Sequence, residues 1–286
     1  MSNGDSSGRT FHLIWLCIFA LFGFLLTTSL AEAFDATKTH SKTRWLPQLG
    51  DTFQLQLRGV IRTDVDATIY DIDLFDSSSA QIAFLHESGR RVVCYFSAGS
   101  SEKWREDFKK FAPSDMGKVL DGWPGENWLD IRSSNVRKIM LARLNLGVKK
   151  GCDGVDPDNV DGYSNSTGFP LTSINEIDYN SFLSNQAHIR GLAIGLKNDG
   201  GQVAALASRY DFVVNEQCHE FDECATYRVF TSLGKPVLNV EYQQRYFHNV
   251  DGAFQALCST ARSEKLYTLV LPLLLDGTSR LSCENA

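Results

Sequence analysis

The stretch Gly151-Cys-Asp-Gly-Val-Asp-Pro-Asp-Asn-Val-Asp-Gly-Tyr163 decides how the rest of the chain is read. Four carboxylates, Asp153, Asp156, Asp158 and Asp161, fall within nine positions, directly after a helix-compatible run over 136–150. A short strand here alternates its side chains, so Asp156 and Asp158 share one face while Pro157 points away and interrupts the ladder at the strand's end. Carboxylates crowded at a strand terminus repel one another, and folds keep that cost mostly where chemistry uses it. The bland alternative is an acidic surface turn. A calcium loop of the EF-hand kind fails, because Val160 and Thr167 stand where that loop needs ligands.

Working outward, the strand candidates cover 52–58, 68–75, 91–97, 152–158, 191–197, 212–216, 236–242 and 267–273. Helical candidates lie between them at 78–88, 101–110, 135–146, 180–188, 201–210, 220–233 and 250–264. Strands rich in Val, Ile, Leu and Phe that alternate with helices predict a parallel sheet covered by helices. At 286 residues, with 43% hydrophobic content, the chain can bury a large core. A (β/α)8 TIM barrel is favoured over a doubly wound sheet, since no Gly-x-Gly-x-x-Gly or phosphate-cradling loop occurs.

The strand candidates start apolar and finish polar. One carries Asp71 and Asp73, and others run into Ser97, Asp158, Lys197-Asn198, Asn215-Glu216 and Glu241-Tyr242. In a (β/α)8 barrel these ends face one mouth, where active sites sit. The result is a ring of carboxylates with one lysine. Two facing carboxylates, one protonated and one ionised, are the usual equipment of glycoside hydrolysis. Asp158, Glu216 and Glu241 are the candidates for that pair, with Asp73 and Asp156 as supporting or subsite groups. An ion pair of Glu241 with Lys197 or Arg245 is the competing structural reading. Trp104, Trp123, Trp128, Tyr95, Tyr163 and Tyr242 could stack on sugar faces, although core packing explains most such aromatics. Lys197 also permits a Schiff-base lyase. The six histidines show no ligand-like spacing, and His188 reads as helix-face packing.

The net charge of -6 argues against nucleic-acid binding. Residues 11–26 form a mostly apolar run after a polar start bearing Arg9, and Ala31-Glu32-Ala33 suits signal-peptidase cleavage after Ala33. The uncharged stretch 10–31 is also long enough for an uncleaved membrane anchor. Residues 1–33 are therefore expected to be a leader or anchor, 34–44 a spacer and 45–286 the folded domain. Export puts the protein in the extracellular space or on the cell surface, with membrane contact only if the leader is retained.

Seven cysteines fit that route: Cys17 lies in the leader and the other six allow three disulfides. Cys218 with Cys224 forms the obvious local loop, Cys258 with Cys283 would tie down the C-terminus, and Cys94 with Cys152 remains, though spacing alone does not settle the pairing. No Cys/His metal spacing occurs, so neither metal nor cofactor is expected. Asn165-Ser166-Thr167 is a candidate glycosylation acceptor.

Several blocks together resemble glycoside hydrolase family 114. They are Asp71-Ile-Asp-Leu-Phe-Asp, Cys94-Tyr-Phe-Ser-Ala-Gly-Ser with Glu102 and Trp104-Arg105, and Trp123-Pro-Gly-Glu-Asn-Trp-Leu-Asp130. The acidic stretch, Gly195-Leu-Lys-Asn198, Asn215-Glu-Gln-Cys218 and Gly234-Lys-Pro-Val237 with Glu241-Tyr242 follow in the family's order. The resemblance implies a (β/α)8 barrel that cuts galactosamine-containing polysaccharide within the chain, as an endo-α-1,4-polygalactosaminidase. The family's catalytic pair falls on Asp158 and Glu216, with Asp158 expected as nucleophile or base and Glu216 as acid. Asp73, Tyr95, Ser97, Asp156, Lys197, Asn198, Glu241 and Tyr242 are the expected substrate-binding residues. The partner is a cationic polysaccharide met by a monomer, and an acidic mouth would attract it.

Overall fold

The computed structural model describes residues 44–285. The expected leader, Cys17 and all but the last residue of the expected spacer lie outside them. Among the described residues, no helix is long and apolar enough to cross a membrane.

The strands run in chain order as β1 (Phe53–Gln56), β2 (Ile69–Asp73), β3 (Arg91–Ser97), β4 (Ser100–Glu102), β5 (Met116–Val119) and β6 (Glu126–Leu129). They continue as β7 (Gly154–Asp158), β8 (Ala193–Lys197), β9 (Phe212–Glu216), β10 (Val237–Glu241), β11 (Tyr267–Val270) and β12 (Leu281–Ser282). The eight expected strands form one curled sheet, ordered β1-β2-β3-β7-β8-β9-β10-β11, every neighbouring pair parallel. That is the strand order of a TIM-like barrel. At the seam the regular pattern changes, because β11 pairs antiparallel with β12. Side chains bridge to the first strand there: Arg280 Nη2 donates to the Phe53 carbonyl at 3.0 Å, and the Phe53 ring meets Tyr267 edge-on at 5.3 Å.

Both faces of the sheet are buried, which explains strands that read as continuous apolar runs. Tyr70, Ile72, Val92, Cys94, Phe96, Val155, Ile194, Leu196 and Val213 face the helices in the larger core cluster. The alternate positions, Phe53, Leu55, Ile69, Val93, Ala193, Phe212, Val214, Leu238, Val240 and Leu269, fill the interior. Continuing that alternation leads from Ile69 to Asp71 and Asp73, from Val93 to Tyr95, from Ala193 to Lys197, from Val214 to Glu216 and from Val240 to Tyr242.

The main helices are α1 (Ser79–Glu87), α2 (Ser134–Lys150) and α3 (Ser173–Ile189), each started by a side-chain cap from Ser78, Ser133 and Thr172. Gly151 ends α2 with φ of 97°, a left-handed stop that turns the chain into β7. The expected helix over 101–110 is absent. Ser100–Glu102 instead joins an antiparallel sheet of order β4-β6-β5, and only a 3-10 turn, Phe108–Lys110, follows. Cross-strand pairing overrides the helix-forming composition of that segment. The expected helices over 201–210 and 220–233 contract to α4 (Val203–Leu206) and α5 (Arg228–Ser232). Gly200-Gly201 precedes the first, and the Cys218–Cys224 disulfide loop occupies the start of the second. After α6 (Gln244–Phe247), α7 (Ala253–Glu264) completes the series. The pairs Cys94–Cys152, Cys218–Cys224 and Cys258–Cys283 are all joined.

Candidate active site

Lys197, at the end of β8, organises the mouth of the barrel. Its ammonium lies 3.3 Å from Asp156 Oδ2, 3.6 Å from Asp158 Oδ1 and 3.6 Å from Glu216 Oε2, and its side chain is 3% exposed. Burial works against its charge, but Asp156, Asp158 and Glu216 outweigh burial and hold the amine well above its ordinary range. That works against the Schiff-base reading, which needs the neutral amine.

Asp158 and Glu216 are held in matching ways. Tyr95 OH donates to Asp158 Oδ2 at 2.8 Å, and Tyr242 OH donates to Glu216 Oε1. The remaining oxygen of each faces Lys197, which keeps the two within twice 3.6 Å. Both are partly open, with side chains 19% and 23% exposed. Directly after β7, β8 and β9 come Asn159, Asn198 and Gln217, with φ of 61°, 48° and 65°. Asn takes left-handed backbone at modest cost and Gln217 at a larger one, and strain of this kind concentrates at functional sites. Asn198 Oδ1 accepts the Glu216 backbone N–H at 2.9 Å and so locks one turn to the next strand.

Deeper in the interior, burial raises Asp156 to about 7 despite Lys197. Asp71 lies lower still, with neither oxygen hydrogen-bonded, and burial followed by the nearby Asp156 pushes it well above the carboxylate range.

The acidic stretch divides by height along β7. Asp153, at the strand's start, accepts from Val92 N at 2.9 Å and pairs with Arg91 at 3.0 Å and His86 at 2.7 Å, far from the chemistry. Asp156 is interior, Asp158 lies at the mouth and Asp161 lines the cavity above. Of the other expected residues, Tyr95, Lys197, Asn198 and Tyr242 join the cluster. Ser97 is fully buried and serves the loop instead, its hydroxyl accepting from Ser100 N and Asn159 Nδ2 at 3.0 Å each. Asp73 clamps Arg105 through contacts of 2.5 and 3.0 Å.

Glu241 is a correction. It occupies the outward parity of β10, where Val240 is the residue level with Glu216. Its Oε1 accepts from His219 N at 2.9 Å, so it braces the loop after β9 from behind rather than facing the mouth. It pairs with neither Lys197 nor Arg245 among the contacts described.

A cavity of about 280 Å³ opens over the pair, lined by Tyr95, Trp123, Glu126, Trp128, Asp158, Asn159, Asp161, Lys197, Asn198 and Glu216 among others. A second, of about 400 Å³, adjoins it and shares Leu57, Tyr95, Trp123, Glu126 and Leu275. Part of both walls comes from the β4-β6-β5 sheet and the connection between β5 and β6, which sequence periodicity missed. Its signal was present: Pro124-Gly125, with Gly125 at φ of 96°, lies at the turn between β5 and β6, a hairpin pattern. Asn165, the candidate glycan acceptor, also lines the first cavity. Among the described residues, Cys218, His219 and Cys224 are the one grouping close enough to hold a metal, and both sulfurs are committed to a disulfide.

Comparison with known proteins agrees with this fold. The structure of Aspergillus fumigatus Ega3 in complex with galactosamine superposes with a TM-score of 0.80 at 45% identity, covering 85% of this chain and 98% of that one. The glycoside hydrolase domain of PelA from Pseudomonas aeruginosa shares the fold, with a TM-score of 0.62 at 16% identity over 81% of this chain and 97% of that one. An uncharacterised Deinococcus radiodurans protein is 24% identical over 225 residues, 69% of this chain and 71% of its own. The sequence pattern of glycoside-hydrolase family GH114 matches residues 35–286, and the chain belongs to that family of glycoside hydrolases.

Proposed function

We propose that this glycoside hydrolase cuts α-1,4 linkages within galactosamine-containing polysaccharide, with Asp158 and Glu216 as its catalytic pair. The observation that carries the reading is the matched cradle of these two carboxylates. Each has a tyrosine hydroxyl on one oxygen and the shared Lys197 ammonium near the other, at the floor of an open cavity. Asp158 collects a further donor, Asn159 Nδ2 at 3.4 Å, on the oxygen that Tyr95 already holds, which fixes its orientation. That suits Asp158 as nucleophile or base. Glu216 has fewer donors and a longer arm, which suits proton delivery to the leaving oxygen. Lys197 keeps the local charge balanced as the proton moves.

The adjoining cavities supply room for more than one sugar unit, as an internal cut requires. Galactosamine bound to the Ega3 relative supports an amino sugar as the unit. Three disulfides suit an oxidising compartment, so we place the enzyme outside the cell, or at its surface if the leader is retained. The test is product release from deacetylated α-1,4-galactosamine polymer read by mass spectrometry, with Glu216→Gln as control. Short oligomers from the wild type and none from the variant are expected. Polymer left intact by both would sink the substrate assignment.

A further inference from the structure

The cavity wall holds a carboxylate that the hydrolytic pair does not use. Glu126 begins β6 and stands in register opposite Glu102 of β4. Like charges directly opposite on an antiparallel pair are unfavourable. The fold compensates only one of them: Glu102 meets Arg105 Nη2 at 2.9 Å and lies 3.9 Å from Arg143 Nη1. Glu126 forms no ion pair among the described residues. Its Oε2 accepts from Ser100 Oγ at 2.6 Å, and no hydrogen bond from the described residues reaches its Oε1.

Glu126 is only 7% exposed, yet it lines both cavities at the wall they share. Lys197, the cation nearest the reaction, is already surrounded by three carboxylates. A buried carboxylate without a cation must hold a proton or recruit a positive charge. Burial, with Glu102 and Asp158 adding repulsion, raises Glu126 to about 7 against the pull of the Ser100 hydroxyl. Of the other acidic liners of the first cavity, Asp121 is exposed to water, Asp158 and Glu216 are each occupied by a tyrosine hydroxyl and Lys197, and Asp161, also without an ion pair among the described residues, is the one rival.

We propose that Glu126 receives the ammonium group of a 2-amino sugar and is the residue by which this site distinguishes amino sugars from neutral or N-acetylated ones. The assignment rests on the glycosidase reading above. An incoming ammonium completes the ionised form of Glu126 in a water-poor wall, where a charge-assisted hydrogen bond is strongest. A hydroxyl or an acetamide at the same sugar position brings no charge, so it leaves the carboxylate uncompensated.

The experiment titrates galactosamine, galactose and N-acetylgalactosamine into Glu216→Gln protein by calorimetry, with and without Glu126→Gln, and assays the single variant on deacetylated polymer. Glu126→Gln keeps the side-chain shape and removes the charge. Its affinity for galactosamine should fall about ten- to a hundredfold while galactose binding stays unchanged, so the preference is lost. Glu126→Asp, which retains the charge on a shorter arm, should recover part of it. A preference that survives Glu126→Gln, or one abolished by Asp161→Asn instead, overturns the assignment. These outcomes are separable from failure of the glycosidase reading, which would show as wild-type protein leaving the polymer uncut.

Discussion

Near the strand starts the barrel interior is filled by Ile69, Val93, Ala193, Phe212, Leu238 and Leu269, all essentially inaccessible to water. Further along the barrel strands it holds Asp71, Tyr95, Asp156, Lys197 and Glu216. The lower half is a close-packed apolar plug, which stabilises the fold through burial. The upper half contains four carboxylates around one ammonium, and one of them, Asp71, has no hydrogen-bond partner at all. An arrangement of that kind opposes folding and persists where chemistry needs it. The lesson is that one set of strands separates stability from activity by height along the barrel, so substitutions at the two levels should fail in different assays.

The strongest way to break this contrast is at the top. Asp158→Asn and Glu216→Gln should each lower turnover by at least roughly 10²–10⁴-fold, with thermal unfolding nearly unchanged. A large drop in melting temperature without loss of turnover in the folded fraction would reverse the assignment of roles. At the bottom, Phe212→Ala should cost about 3–5 kcal/mol in denaturant unfolding, since its ring fills the plug and leaves a cavity. Its turnover, measured well below the melting temperature, should stay close to wild type.

Lys197→Met tests the boundary between the levels. Removing the one cation leaves Asp156, Asp158 and Glu216 uncompensated. Breaking buried pairs typically costs about 3–5 kcal/mol, but protonation of Asp156 relieves part of it. The stability deficit should therefore be largest at alkaline pH and shrink as pH falls through the carboxyl range. A deficit independent of pH would show that Lys197 contributes by packing alone.

The smallest effect concerns buried carboxyls outside the interior. Glu176 and Asp199 are each raised to about 8, chiefly by burial. Unfolded carboxyls titrate near ~4. Folded values above unfolded ones mean that the unfolded chain releases these protons first. Their contribution is complete below ~4 and is lost as pH rises toward 8. Glu176→Gln should flatten the loss of stability between pH 5 and 9, by at most about 1.4 kcal/mol per pH unit. An unchanged slope would mean that Glu176 is ionised in the folded protein.

Much of this was legible in the residues. All eight parallel strands were placed from apolar runs ending in polar residues, and the crowding in 151–163 correctly marked a strand end. The six cysteines beyond the expected leader allowed three disulfides, but which pairs form was left open by spacing and is decided by the fold. The β4-β6-β5 sheet was not legible in the periodicity, because Ser100–Glu102 is too short to show alternation and its neighbours favour helix. Glu126 went unnoticed with it. Glu241 was misplaced because adjacent residues of a strand face opposite sides, and only the register with β9 tells which side is the mouth.

The sequence by itself determined which segments form the eight parallel strands, which of their ends are polar, and that Asp158 and Glu216 lie at the ends of β7 and β9. Those facts depend on local composition and on a period of two, which any short window displays. Tertiary structure alone decided that one lysine would gather three of the carboxylates, that Asp153 and Glu241 would face away, and that Glu126 would enter the cavity without a cation. These depend on register and on contacts between residues far apart in the chain, where the burial and mutual repulsion of charges are fixed only once the sheet has curled.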